Sequence, residues 1–314
     1  MKYLVTGGAG FIGSNIVQEL LNRGEDVRVL DNFATGKREN IFCFMDYKNF
    51  ELIEGDLRSF HTVRNAVRGV DFILHQGALP SVPRSIQDPI TTNDVNILGT
   101  LNILEAAREF DVKRIVYASS SSIYGDSKEL PKKEDMFIQP LSPYALSKYT
   151  AERYCQIHTL IYGLETVCLR YFNVFGPNQD PFSQYSAVIP KFIKLISDDI
   201  QPTIFGDGSQ SRDFTYVQNV VEANLLACTA PHAPGQVINI ACQESTTLVE
   251  LVKIINENLH KNIVPIYAKE RSGDVKHSLA SIKKAGELLH YKVEVPFRDG
   301  LYKTINFLLN NKEN

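Results

Sequence analysis

Tyr144 and Lys148 stand four residues apart in Ser142-Pro143-Tyr144-Ala145-Leu146-Ser147-Lys148. On a helix, positions i and i+4 share one face. A lysine ammonium one turn from a phenol can lower the phenol pKa, and the positive charge of an oxidised nicotinamide would act in the same direction. The phenolate can then take a proton from a hydroxyl while hydride leaves the same carbon. Lys148 can also hold a nicotinamide ribose. The same spacing serves ordinary amphipathic surface pairs, so the reading depends on what else the chain carries.

A dinucleotide loop is the first support. After the apolar run Tyr3-Leu4-Val5 comes Gly7-Gly8-Ala9-Gly10-Phe11-Ile12-Gly13, a G-x-x-G-x-x-G spacing. Here the chain must turn from strand to helix and bring backbone N–H groups close to a pyrophosphate. Gly7 and Gly10 leave room for that approach, and Gly13 lets the helix pack closely on the sheet. A purely structural tight turn is the alternative. Asp31 closes the second apolar run, 18 positions after Gly13. A carboxylate there can accept hydrogen bonds from the adenosine ribose and would repel a 2′-phosphate. It could also be a simple loop acid or cap, and Lys37 and Arg38 follow it, but NAD is favoured over NADP. Asp56, after the third strand, could reach the adenine amino group, although Gly55-Asp56 is also a common turn.

Ala118-Ser119-Ser120-Ser121-Ser122-Ile123-Tyr124-Gly125 follows the fifth apolar run. Hydroxyls at a strand's carboxyl end can bond a reacting sugar oxygen; incidental loop serines are the plainer reading. His75, at the end of the fourth run, is expected to be structural.

These groups need a scaffold. Apolar runs at Tyr3–Val5, Val27–Leu30, Phe50–Ile53, Phe72–Leu74, Arg114–Ala118 and Glu165–Leu169 alternate with helical patterns at Gly10–Arg23, Ser59–Arg68, Thr92–Phe110 and Pro143–Tyr162. Strands joined by helical crossovers predict a doubly wound α/β fold of Rossmann type, with a parallel sheet covered on both faces. Past Arg170, Pro and Gly become frequent. The expected organisation is an NAD-binding domain over 1–170, a smaller α/β lobe over 171–314, and a later strand at about 236–241 returning to the sheet. Helices are expected at Thr247–Leu259 and Ser278–Leu289. The site should lie outside the carboxyl ends of the strands.

Composition narrows the classes. The chain has 314 residues, a formal charge of −3 and 44% hydrophobic residues, which suits a soluble globular protein with no nucleic-acid or acidic-lipid partner. No apolar run reaches the length of a membrane span. The five cysteines form no CxxC pair and follow no secretory signal, so free thiols in a reducing cytoplasm are expected. No His/Cys cluster has metal-ligand spacing, and no metal is expected.

The glycine loop, Asp31, the serine segment and Tyr144/Lys148 together resemble the extended short-chain dehydrogenases/reductases that act on nucleotide sugars, over nearly the whole chain. The resemblance implies NAD as cofactor, with Phe11, Ile12, Asn32, Leu57, Gln76 and Ala78 joining the residues above around it. It implies Ser120, four positions before Tyr124, as the catalytic hydroxyl. Within the family, 4,6-dehydratases carry an Asp-Glu pair after that hydroxyl, and decarboxylases place a Glu where Ser122 stands. Ser121 and Ser122 occupy those positions here. The chemistry should therefore stop at oxidation and re-reduction, which is epimerisation.

The resemblance also implies a nucleotide-sugar lobe. Asn173 would donate to the diphosphate, and the backbone near Ala187 and Val188 would meet the uracil at a helix N-terminus that favours an anion. Phe205 would lie by the base. Arg212 and Arg271 would bind phosphate, Arg212 as a planar fork, and Asp274 would sit near the uridine ribose. Ser81, Ser121, Ser122 and Gln179 complete the expected sugar contacts. Ser278 takes the place of a bulky gate residue, leaving room for a C2 N-acetyl group; as a serine it could equally cap the helix Ser278–Leu289. Pro80 departs from the glycine of close relatives and stiffens the loop beside the sugar. The expected activity is 4-epimerisation of UDP-GlcNAc, with UDP-glucose also accepted. A UDP-glucuronate 4-epimerase, with Arg84 facing the C6 carboxylate, and a non-catalytic NAD-binding scaffold are the alternatives. A homodimer is expected through Thr92–Phe110 and Pro143–Tyr162.

Overall fold

The computed structural model describes residues 1–180, 188–270 and 276–310. Seven parallel strands form the central sheet: β1 (Lys2–Thr6), β2 (Asp26–Asp31), β3 (Phe50–Glu54), β4 (Phe72–His75), β5 (Arg114–Ser120), β6 (Thr166–Tyr171) and β7 (Val237–Ile240). Their order is β7-β6-β5-β4-β1-β2-β3. The chain fills one half of the sheet outward from β1, then returns to start the other half at β4. This Rossmann-type order opens a crevice at the carboxyl ends of β1 and β4, the switch point where ligands bind in open α/β sheets.

The inner strands read as continuous apolar runs because both faces are covered. Successive side chains point to opposite faces. Leu4, Ile73 and Ile115 enter one core layer, while Val5, Leu74 and Val116 enter the other. The first layer packs under α2 (Phe60–Val67), α5 (Gly99–Glu109) and α6 (Pro143–Tyr162). The second packs under α1 (Phe11–Asn22), α8 (Val217–Thr229) and α9 (Leu248–Leu259).

Helix α6 is defined at both ends. Ser142 Oγ accepts from Ala145 N (3.1 Å), Pro143 takes the first helical position, and Gly163 ends the helix at φ +71°. Each device is the expected one for its position. The chain between β6 and β7 leaves the sheet to build α7 (Val188–Ser197), α8 and the short strands Thr203–Phe205 and Ser211–Arg212, which pair with Ile266–Ala268 and Thr246–Thr247 from the chain after β7. Helices α10 (Lys283–Leu289) and α11 (Phe297–Asn310) close the described chain.

Two expected helices differ. The span Thr92–Phe110 is not one α-helix: α3 (Val82–Gln87) and α4 (Pro89–Asn93) precede a π-turn at Asp94–Leu98, and only then does α5 begin. The span Ser278–Leu289 becomes helical only at Lys283, with Ile282 as the residue before it. Ser278 is held outside the helix instead, its N–H donating to Ser211 O (3.0 Å). It caps nothing, because pairing with a distant segment overrides its local cap preference.

Candidate active site

A cleft of about 310 Å³ runs along the carboxyl ends of β1, β2, β4 and β5. Gly7, Gly10, Phe11, Ile12, Gly13, Asp31, Asn32, Asp56, Leu57, Gln76, Ala78, Tyr144 and Lys148 all line it. The glycine loop is shaped for close approach. Gly7 has φ +66°, and a Cβ on Gly13 would lie 2.1 Å from Gly7 O. Gly10 offers no side-chain cap to α1, so the first-turn N–H groups of Phe11 and Ile12 are left for a ligand in the cleft. This uncapped helix end is the chain's own evidence that the residues fit a dinucleotide pyrophosphate.

Asp31 serves both readings raised by the sequence. Its carboxylate accepts from Ala9 N (2.9 Å) and Phe33 N (2.8 Å), which holds the loop, and burial pushes its pKa up against those bonds. Each oxygen keeps a lone pair for a ribose hydroxyl. Lys37 pairs with Asp180 (3.1 Å) and Arg38 with Glu54 (2.6 Å), so neither nearby cation stands idle for a 2′-phosphate. Asp56 is gripped by Arg58, Nε to Oδ1 at 3.0 Å and Nη2 to Oδ2 at 2.7 Å, and by Asn32 Nδ2 at 2.9 Å. The arginine bonds hold its carboxyl down at about 2.

Tyr144 and Lys148 project from α6 into the inner end of the cleft. Burial pushes the Tyr144 phenol above its usual pKa, and a hydrogen bond with Ser120 opposes that rise. Lys148 is held from the strand beneath it. Its ammonium donates to Ala118 O (2.8 Å) and lies 5.1 Å from the Tyr117 ring centroid. Burial lowers its own pKa to about 8. Ser120 Oγ also bonds Ser122 Oγ (2.9 Å) and accepts from Ser122 N (3.2 Å), while Ser121 opens a 3-10 turn over Ser121–Tyr124.

The support beneath this triad escaped the sequence reading. Glu152, two turns beyond Tyr144 on α6, is fully buried against Arg170 of β6. Arg170 Nη2 donates to Glu152 Oε1 (2.7 Å) and Nε to Oε2 (3.0 Å), and Ser119 Oγ donates to Oε2 (2.7 Å). The network thus ties the residue before Ser120 to the helix that carries Tyr144. Asn96, in the π-turn, donates to Ser147 Oγ (3.0 Å) and exchanges bonds with Leu79. The 144/148/152 phase was the visible signal for Glu152; nothing local marked Asn96.

A second cavity of about 320 Å³ is lined by Asn173, Val188, Phe205 and Arg212, with Phe175, Phe192 and Gln210 among its walls. Asn173, at φ +36°, donates to Asp213 O (3.1 Å) and Ser278 Oγ (3.2 Å). Both amide hydrogens are thereby engaged, so a bond to a diphosphate requires exchanging one of them. Arg212 Nη1 donates to Ser211 O (3.0 Å) and Lys276 O (3.1 Å). Gln179 Nε2 donates to Val174 O (3.2 Å), and its Oε1 is buried without a partner among the described residues. Ser81 caps α3 at φ +97°, accepting from Arg84 N (3.3 Å). Ala187, Arg271 and Asp274 lie outside the described residues. Among the described residues no cluster could hold a metal ion.

Comparison with known proteins places this geometry. Residues 3–241 match the NAD dependent epimerase/dehydratase family. The UDP-glucose 4-epimerase of Mycolicibacterium smegmatis is 34% identical, with 100% of both chains covered. The UDP-N-acetylglucosamine 4-epimerase of Methanobrevibacter ruminantium, solved with UDP-N-acetylmuramic acid, is 39% identical with a TM-score of 0.94, covering 99% of this chain and 98% of its own. The UDP-glucuronic acid 4-epimerase of Bacillus cereus, solved with UDP-glucuronic acid and NAD, is 32% identical with a TM-score of 0.92, covering 99% of this chain and 100% of its own. A cleft shaped for a dinucleotide, a tyrosine–lysine helix at its inner end and these matches along the chain make this protein a member of the NAD-dependent epimerase/dehydratase family, within the extended short-chain dehydrogenases/reductases.

Proposed function

We propose that this protein inverts C4 of a UDP-hexose, acting on UDP-GlcNAc/UDP-GalNAc and also on UDP-glucose/UDP-galactose. The observation that carries the reading is the placement of Tyr144 and Lys148 together in the cofactor cleft, with hydroxyls, not carboxylates, at Ser121 and Ser122 after Ser120. Tyr144 takes the proton of the 4-hydroxyl, directly or through Ser120, and later returns it to the 4-oxygen. When bound, NAD supplies the hydride acceptor for C4 and then the donor. With serines rather than an acid at positions 121 and 122 to drive loss of water, the 4-keto sugar is reduced again. Inversion requires the sugar to turn while its nucleotide end stays held. Asn173, Val188, Phe205 and Arg212 are the described residues placed to hold it, in a cavity separate from the cofactor cleft.

The N-acetyl preference is supported by Ser278, a small side chain whose oxygen meets Asn173, and by the relative that acts on UDP-GlcNAc. In this reading residues 1–170, with the strand at 236–241, bind NAD, and 171–314 mainly bind the nucleotide sugar. We further place the protein in the cytoplasm as a homodimer. All five cysteines are free, and no helix among the described residues is long and apolar enough to cross a membrane.

The test is a panel of UDP-GlcNAc, UDP-glucose and UDP-glucuronate with no added cofactor, read by NMR. Conversion of UDP-GlcNAc to UDP-GalNAc is expected. Turnover of UDP-glucuronate alone would instead assign the C6-carboxylate reading. Tyr144→Phe is expected to lose about 100-fold or more in kcat with the fold unchanged by circular dichroism; undiminished activity would count against the mechanism.

A further inference from the structure

His75 is 1% exposed, and burial pushes its pKa down to about 3. Packing alone would account for a buried ring, but not for the order of hydrogen bonds around it. Gly77 N donates to Thr6 Oγ1 (3.1 Å), which contacts His75 Nδ1 (2.6 Å); His75 Nε2 contacts Thr100 Oγ1 (3.0 Å), which donates to Asn96 O (2.7 Å). One end of this chain is a backbone N–H that can only donate. The other is a backbone carbonyl that can only accept. Thr100 uses its one hydrogen on Asn96, so it must accept from Nε2. A ring buried to 1% exposure stays neutral, so Nδ1 carries no hydrogen and accepts from Thr6. The geometry therefore assigns His75 the neutral Nε2–H tautomer.

Both ends lead to the reaction site. Gly77 and Leu79 line the cofactor cleft. The Asn96 side chain holds Leu79 through two bonds and donates to Ser147 Oγ (3.0 Å), which donates to Tyr144 O (2.8 Å). Thr6, His75, Asn96, Thr100 and Ser147 are each at most 2% exposed, so water cannot replace a missing link. We propose that His75 is a positioning residue for hydride transfer: its fixed tautomer sets the spacing between the Gly77–Leu79 loop under the cofactor and the helix that carries Tyr144. It touches neither substrate nor the reacting atoms.

The kinetic part of the test rests on the 4-epimerase reading; the tautomer does not. In ¹⁵N NMR of the resting full-length protein, His75 is expected as the Nε2–H tautomer, without titrating between about pH 5 and 8. A protonated ring or an Nδ1–H tautomer would overturn the proposal whether or not the protein turns over any UDP-sugar. In steady-state kinetics, His75→Leu fills the space but breaks the chain. It should lower kcat by up to about 100-fold, the scale of a small misplacement of reacting groups, with KM for the UDP-sugar changed little. His75→Gln keeps one acceptor and one donor and should recover at least about a tenth of the wild-type kcat. Wild-type kcat in a folded His75→Leu protein, or no advantage of Gln over Leu, would reduce His75 to a core residue.

Discussion

At the residue scale, the site combines a half-buried phenol and a buried ammonium whose environments pull against their proposed roles. In the proposed mechanism Tyr144 loses a proton, yet burial raises its pKa, and Lys148 carries charge, yet burial lowers its own to about 8. A positively charged cofactor would ease the first conflict and worsen the second. The second has a measurable sign. Between about 8 and 10.5, the unfolded chain holds a proton on Lys148 that the folded chain has released, so stability rises with pH across that window. Below it, the folded chain carries the full penalty of a buried ammonium. Lys148→Met should therefore inactivate the enzyme while stabilising it at pH 7, by at most about 3 kcal/mol. The gain should shrink as pH rises from 8 towards 10. Thermal melts at pH 7 and 9.5 check this; a variant less stable than wild type at pH 7 would contradict it.

At the element scale, α6 is anchored by its third inward residue. Glu152 follows Tyr144 and Lys148 at four-residue steps, and among the described residues its carboxylate is met by Arg170 from β6 and the Ser119 hydroxyl. Breaking a buried pair strands the remaining charge. Glu152→Ala should cost about 3–5 kcal/mol in urea unfolding, and adding Arg170→Met should restore about 1 kcal/mol or more; strictly additive losses would show that the two are not coupled. The strands were legible because a sheet covered on both faces demands unbroken apolar runs, and α6 because Ser142, Pro143 and Gly163 mark its ends. The π-turn at Asp94–Leu98 was not legible, since inserting one residue per turn barely disturbs a helical apolar pattern. Ser278 read as a cap by residue type alone. Its real partners, Ser211 and Asn173, lie more than sixty residues away in the chain, where local pattern has no reach. Glu152 and His75 were visible as residues, but their burial depends on side chains from other strands.

At the scale of the whole molecule, the segment that leads from β6 towards the second cavity is tied to the wall of the cofactor cleft. Asn15 Nδ2 donates to Pro177 O (3.1 Å), Asn178 Nδ2 to Ser14 Oγ (2.9 Å), and Lys37 pairs with Asp180, so the segment leaving β6 is stitched onto the helix behind the glycine loop. On the opposite side, Leu98, Leu146, Leu160 and Ile161 leave a large apolar surface around α6, Leu160 being 84% exposed. Such a face needs a partner, and a second copy of the chain is the proposed one. Sedimentation should find a dimer that Leu160→Asp weakens or splits; a wild-type monomer would remove that assignment. Inversion of C4 by return of its own hydride is tested by proton NMR of UDP-GlcNAc turned over in D₂O without added NAD. UDP-GalNAc with its C4 hydrogen undiluted by deuterium is expected; deuterium at C4, a dehydrated 4-keto-6-deoxy product, or inversion at another carbon would rule the mechanism out.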